Sequence, residues 1–133
     1  MNHVALKQYQ SVGVESGVSN ASPHQLISML LTGALDRIAA ARGAIERGET
    51  ARKGEMLSRA IAIIGGLRGS LNHEQGQDIS ENLGALYDYI EQLLVEANLA
   101  SSSEKLVEAV SLLNEIKEGW DAIPVELRQG GYQ

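Results

Sequence analysis

Four separate stretches of this chain place apolar residues at steps of four and three. The first stretch runs Ile27, Leu31, Ala34, Ile38, Ala41, Ile45, and the second Leu57, Ala60, Ile64, Leu67, Leu71. A third holds Ile79, Leu83, Leu86, Ile90, Leu93, Ala97, and a fourth Leu106, Val110, Leu113, Ile116, Trp120. A 4-3 rhythm keeps one stripe on one side of an α-helix, whereas a strand needs period two. No period-two pattern competes. The aromatic share points the same way: of 133 residues, four are Tyr, one is Trp and none is Phe. The apolar mass is therefore Leu, Ile, Val and Ala, which suits helix on helix better than a strand-rich sandwich. A chain of this length can bury roughly two-thirds of the surface its unfolded form exposes, enough for one core.

The punctuation between stripes sets the boundaries. Ser22-Pro23 is an N-cap followed by a proline that needs no helical N–H, so helix 1 opens there and closes near Gly48. Helix 2 is predicted over 50–71, and the polar stretch 73–77 is a loop. Asp78 with Glu81 resembles a capping box and starts helix 3 near 78–80. Residues 98–103 are the next connection, with Ser101 and Glu104 in capping-box register for helix 4. Pro124 disfavours helix just before it and ends the fourth. The expected fold is all-α: an antiparallel four-helix bundle over 22–123, a flexible N-terminal arm over 1–21, and a short loose tail over 124–133. Val4, Leu6 and Tyr9 give the arm some apolar character.

Two features exceed what a bundle core needs. Leu26, Leu30 and Leu35 widen the helix 1 stripe, Tyr87 and Leu94 widen helix 3, and Val107 and Leu112 widen helix 4. Eight glycines, at 33, 43, 54, 65, 66, 69, 84 and 119, fall inside predicted helices, where each costs about 1 kcal/mol against Ala. Both features fit close helix packing, and both equally fit grooves that accept another helix. The charge is also uneven. Residues 1–73 carry a net +3 and residues 74–133 a net −9, summing to −6. Either the two halves pack with complementary rims, or the second half offers an acidic face to a partner.

Chemistry is sparse. Without cysteine there is no disulfide, thiolate site or Cys nucleophile. His3 lies in the arm, His24 in the first turn of helix 1 and His73 in a loop; all three read as surface residues. None follows a Glu by three positions, so the Glu-x-x-His signature of bundle metal sites is missing. Gly65-Gly66 sits within a helical pattern, not in a phosphate loop, and no Ser occupies a nucleophile elbow. No catalytic, cofactor-binding or metal residue is expected, and an enzyme is disfavoured. The acidic total discourages phosphate-tracking nucleic-acid binding. No apolar run nears the ~20 residues that span a bilayer, and the start Met1-Asn2-His3-Val4 lacks signal-peptide character, so a cytoplasmic location is expected.

Two motifs carry a family resemblance. Ala21-Ser22-Pro23-His24-Gln25-Leu26-Ile27, then Met29-Leu30 and Gly33-Ala34, resembles the opening of helix 1 in the FliS family of flagellar export chaperones. So do Asn82-Leu83, Leu86-Tyr87-Asp88-Tyr89, Leu93-Leu94 and Ala97-Asn98 on helix 3, with Tyr9-Gln10 upstream and Trp120 late. Leu31-Thr32 departs from the family's usual aromatic and acidic pair. The resemblance implies a cytoplasmic four-helix protein that binds the disordered C-terminal region of flagellin, prevents premature polymerisation and aids delivery to the export gate. It implies partner-binding roles for Tyr9, Leu26, Leu30, Gly33, Leu83, Leu86, Tyr87, Ile90 and Leu94. The helix 3 residues would be shared between core and groove, and the arm with Tyr9 would cover part of the groove. An uncovered groove can also pair two copies as a homodimer. The alternative function is a regulatory adaptor that binds another flagellar or regulatory protein through its acidic second half.

Overall fold

The computed structural model describes residues 20–71 and 77–128. Four long helices follow one another: α1 (Pro23–Arg47), α2 (Thr50–Gly69), α3 (Gln77–Ala100) and α4 (Ser103–Asp121), with a single turn, α5 (Val125–Arg128), after Pro124. No strand occurs among the described residues. Arg68 reaches Asp88 while Lys53 reaches Asn98, so α2 and α3 run antiparallel. Tyr89 with Glu108 and Glu96 with Lys105 fix the same sense for α3 and α4. His24 with Trp120 and Ser28 with Asp121 close α4 back onto α1. Each helix packs on the next around a ring, giving the antiparallel bundle that the stripes predict.

Local chemistry sets the ends. The Ser22 hydroxyl accepts from the Gln25 N–H at 3.1 Å, and the Gln25 side chain accepts from the Ser22 N–H at 2.8 Å. This reciprocal box satisfies two groups that the first turn otherwise strands. At the far end, Gly48 takes φ 69°, and the Glu49 N–H turns back to the Ala44 carbonyl at 2.8 Å. That left-handed step is nearly free for glycine and costs other residues about 1–2 kcal/mol.

The α3–α4 joint differs from the expected connection. α3 runs on to Ala100, and the N-cap of α4 is Ser102, whose hydroxyl accepts from the Lys105 N–H at 3.3 Å. Ser101 stands instead in the left-handed region at φ 50°, and the Ser102 N–H bonds the Ala97 carbonyl. Ser101 thus ends one helix and Ser102 caps the next, leaving no room for the longer loop.

The core takes Leu31, Ala34 and Ile38 from α1, Leu57, Ala60 and Ile64 from α2, Ile90, Leu94 and Ala97 from α3, and Leu106, Ala109 and Leu113 from α4. These are the in-phase positions, with Leu94 and Ala109 beside the main rows. The glycines have mixed roles. A side chain at Gly84 would strike the Arg68 guanidinium at 2.6 Å, so its absence lets Arg68 lie across α3 to Asp88. Gly65, Gly69 and Gly119 face open space, where close helix approach is not the reason for them.

Candidate functional site: an uncovered end of the α3 stripe

The α3 stripe is covered unequally along its length. Ile90 and Ala97 are wholly buried and Leu93 nearly so. Toward the helix start, Leu86 and Leu83 are only half-buried, and Ile79, in the same register, is 72% exposed. Antiparallel packing places these turns beside the end of α4, where Ile116 and Trp120 are also half-buried. Leu71, just after α2, completes the set of incompletely covered apolar side chains at this end of the bundle. Inward-facing residues here lack the overlying atoms that their counterparts at mid-bundle have. The result is an incompletely covered apolar strip, the trough, at the end where residue 20 enters the bundle.

The expected partner-binding residues separate into groups. Leu83 and Leu86 line the trough. Tyr87, Ile90 and Leu94 sit in the core, as do Leu26 and Leu30 on α1. Gly33 is half-buried, with Ile63 of α2 3.6 Å from where its Cβ would stand. Tyr9 lies outside the described residues. Ile79 is the exposed member of the trough.

A polar clasp closes the same end of the bundle, and it corrects the expectation that His24 is a surface residue. His24 is buried, its ring stacked on Trp120 with centroids 4.7 Å apart and planes 7° from parallel. The Trp120 indole N–H donates to the His24 carbonyl at 2.9 Å. His24 Nε2 lies 2.8 Å from the Trp120 carbonyl; a carbonyl only accepts, so Nε2 carries the proton. Beside this pair the Ser28 hydroxyl donates to Asp121, which also accepts from Lys117. Those bonds, the Lys117 one first, hold the Asp121 carboxyl below the usual carboxylate range. At the opposite end, buried Lys53 donates to the Asn98 carbonyl at 3.0 Å and to Ser101 Oγ at 2.7 Å. It places a cation at the negative end of α3 and satisfies one of its last carbonyls. Register signals both residues. His24 precedes Ile27 and Leu31 by steps of three and four, and Lys53 precedes Leu57 and Ala60 by four and three. Both continue the stripe inward.

Across α3 and α4, Tyr89 donates to Glu108, and that bond raises the phenol above its ordinary value. Among the described residues no cluster of His, Asp and Glu could hold a metal ion, and no helix is long and apolar enough to cross a membrane. The arrangement defines a helical bundle whose core stripe is left partly open at one end.

The chain belongs to the FliS family of flagellar secretion chaperones: the family model described as flagellar protein FliS matches residues 5–126. The flagellar secretion chaperone FliSB of Pseudomonas aeruginosa is 49% identical over 119 residues, which cover 90% of this chain and 94% of the relative. The flagellar secretion chaperone FliS of Salmonella typhimurium is 45% identical over 89% of this chain and 88% of the relative. That of Vibrio cholerae is 38% identical over 92% and 90%.

Proposed function

We propose that this chain binds the C-terminal region of flagellin in the cytoplasm, prevents its premature polymerisation and presents it to the export apparatus. The observation that carries this is the uncovered stripe of Ile79, Leu83 and Leu86 beside Ile116 and Trp120. An apolar surface in register with a core, yet left open, fits an amphipathic client helix. A client that is disordered before assembly loses entropy on ordering, which lowers affinity per unit area and allows release without nucleotide. Protein binding, not catalysis, is the activity in this account. In this account the arm over residues 1–21, Tyr9 included, can cover part of that surface when no client is bound, and uncovered copies can pair through it.

The test mixes purified protein with intact flagellin and with flagellin lacking its C-terminal region. A stoichiometric complex with the intact protein alone is expected. Equal binding to both, or to neither, contradicts the proposal.

A further inference from the structure

Trp120 is the only tryptophan in the chain, and it belongs both to the apolar trough and to the polar clasp. Followed from the Tyr89–Glu108 and Glu96–Lys105 pairs to the start of α3, the antiparallel register brings Trp120 level with Ile79, the exposed member of the trough. Two side-chain torsions place an indole. Here a single residue constrains both. His24 covers one face of the ring, with centroids 4.7 Å apart and planes 7° from parallel. The indole N–H is drawn to the His24 carbonyl at 2.9 Å. His24 Nε2 in turn donates to the Trp120 carbonyl at 2.8 Å, which also accepts from the Ile123 N–H at 3.3 Å. The ring is therefore held by its face and by its edge, and its own main chain is tied to the same partner.

His24 is 4% exposed, so a client laid over the trough does not reach it. What His24 contributes to binding passes through Trp120. Its place in the chain suits that task. It is the second residue of α1, inside the turn that the Ser22–Gln25 capping box fixes. Ser28 with Asp121 ties the same two helices one turn further along α1, and the core joins them beyond that. Closure of the bundle is thus not left to His24 alone. An aromatic side chain that is held before its partner arrives loses little freedom on binding. Tryptophan is also among the residue types that anchor protein contacts most strongly.

We propose that His24 is a positioning residue for the client: stacked on Trp120 and bonded to it at both ends, it presets the indole as one wall of the trough. The proposal rests on the trough being the client surface. Immobilising one such side chain in advance corresponds to roughly two- to tenfold in affinity.

The test uses the full chain and a synthetic, tryptophan-free peptide from the flagellin C-terminal region, so that all indole emission comes from Trp120. Saturating peptide is expected to shift that emission to the blue as the client dries the ring. In free His24→Ala the anisotropy of Trp120 should decay faster, and the peptide should bind roughly two- to tenfold more weakly. His24→Leu carries the same expectation should His24→Ala not fold. His24→Phe keeps a stacked ring and loses only the Nε2 bond, so both readouts should stay close to the parent. In a Trp120→Leu background, His24→Ala should cost no further affinity, because the residue through which His24 acts is gone. Affinities are compared well below the helical melt of each variant, among folded chains. Unchanged emission at saturating peptide, unchanged anisotropy decay or parent-like affinity in His24→Ala overturns the proposal. So does an equal loss of affinity in the Trp120→Leu background, which assigns His24 to the fold alone. A parent chain that binds no peptide overturns the client reading and this inference with it, whereas failure at the variants alone overturns only the role of His24.

Discussion

Three glycines of one bundle respond to alanine in different ways, because each solves a different problem. Gly48 stands at φ 69°, where a Cβ meets its own carbonyl. Gly48→Ala should cost about 1 kcal/mol of stability in a denaturant melt. Gly65 has nothing within 4 Å of where its Cβ would stand and lies inside α2. Gly65→Ala should stabilise by about 0.5–1 kcal/mol in the same melt, since only backbone freedom is lost. Gly84 seats a guanidinium whose ion pair is largely exposed. There the helix-propensity gain and the displaced pair nearly offset one another. Lys53 is the polar counterpart. Lys53→Met leaves the Asn98 carbonyl and Ser101 hydroxyl without their buried donor and should destabilise by about 1–3 kcal/mol. A melt unchanged by Lys53→Met would show that the buried ammonium contributes nothing net.

At the scale of elements, the four helices were legible because each stripe repeats the same rhythm for five or six positions. Such a rhythm survives small errors at its ends. The joints were less legible. Ser101, Ser102 and Ser103 are chemically alike, and which one caps α4 depends on where α3 stops. The final turn of α3 also carries a bond from another helix, Lys53 to the Asn98 carbonyl. That is a tertiary contact, invisible to local pattern. His24 was hidden for another reason. Histidine at a helix start is ordinarily a surface residue, and only its continuity with Ile27 and Leu31 marks it as buried. The clasp it forms ties the first helix to the last, and acid should loosen it through its neighbour. The Asp121 carboxyl is depressed in the folded state, so its contribution is complete above the unfolded value, about 3.9, and is lost as pH falls through the lower folded one. The carboxylate is largely solvated, so the effect is small and screened by salt. Asp121→Asn should flatten the dependence of the melting temperature on pH below about 4, measured at low salt. An unchanged slope would remove Asp121 from the clasp's energetics.

At the scale of the molecule, core and trough share residue types, and that is why the sequence could not divide them. Leu83 and Ile90 occupy one stripe in one register, yet one is half-buried and the other wholly so. The difference lies in what the neighbouring helices cover, which antiparallel packing decides. Charge sorts the molecule along a second axis, with the exposed apolar residues on the acidic side. The central claim is that the uncovered end of the stripe receives the client. It is tested most directly by the affinity of a flagellin C-terminal peptide for Ile79→Ser. Ile79 is already exposed, so the substitution should leave the melt within about 0.5 kcal/mol of the parent. If a client buries this side chain, losing it should weaken binding by roughly tenfold or more. Undiminished affinity with an unchanged melt would contradict the claim.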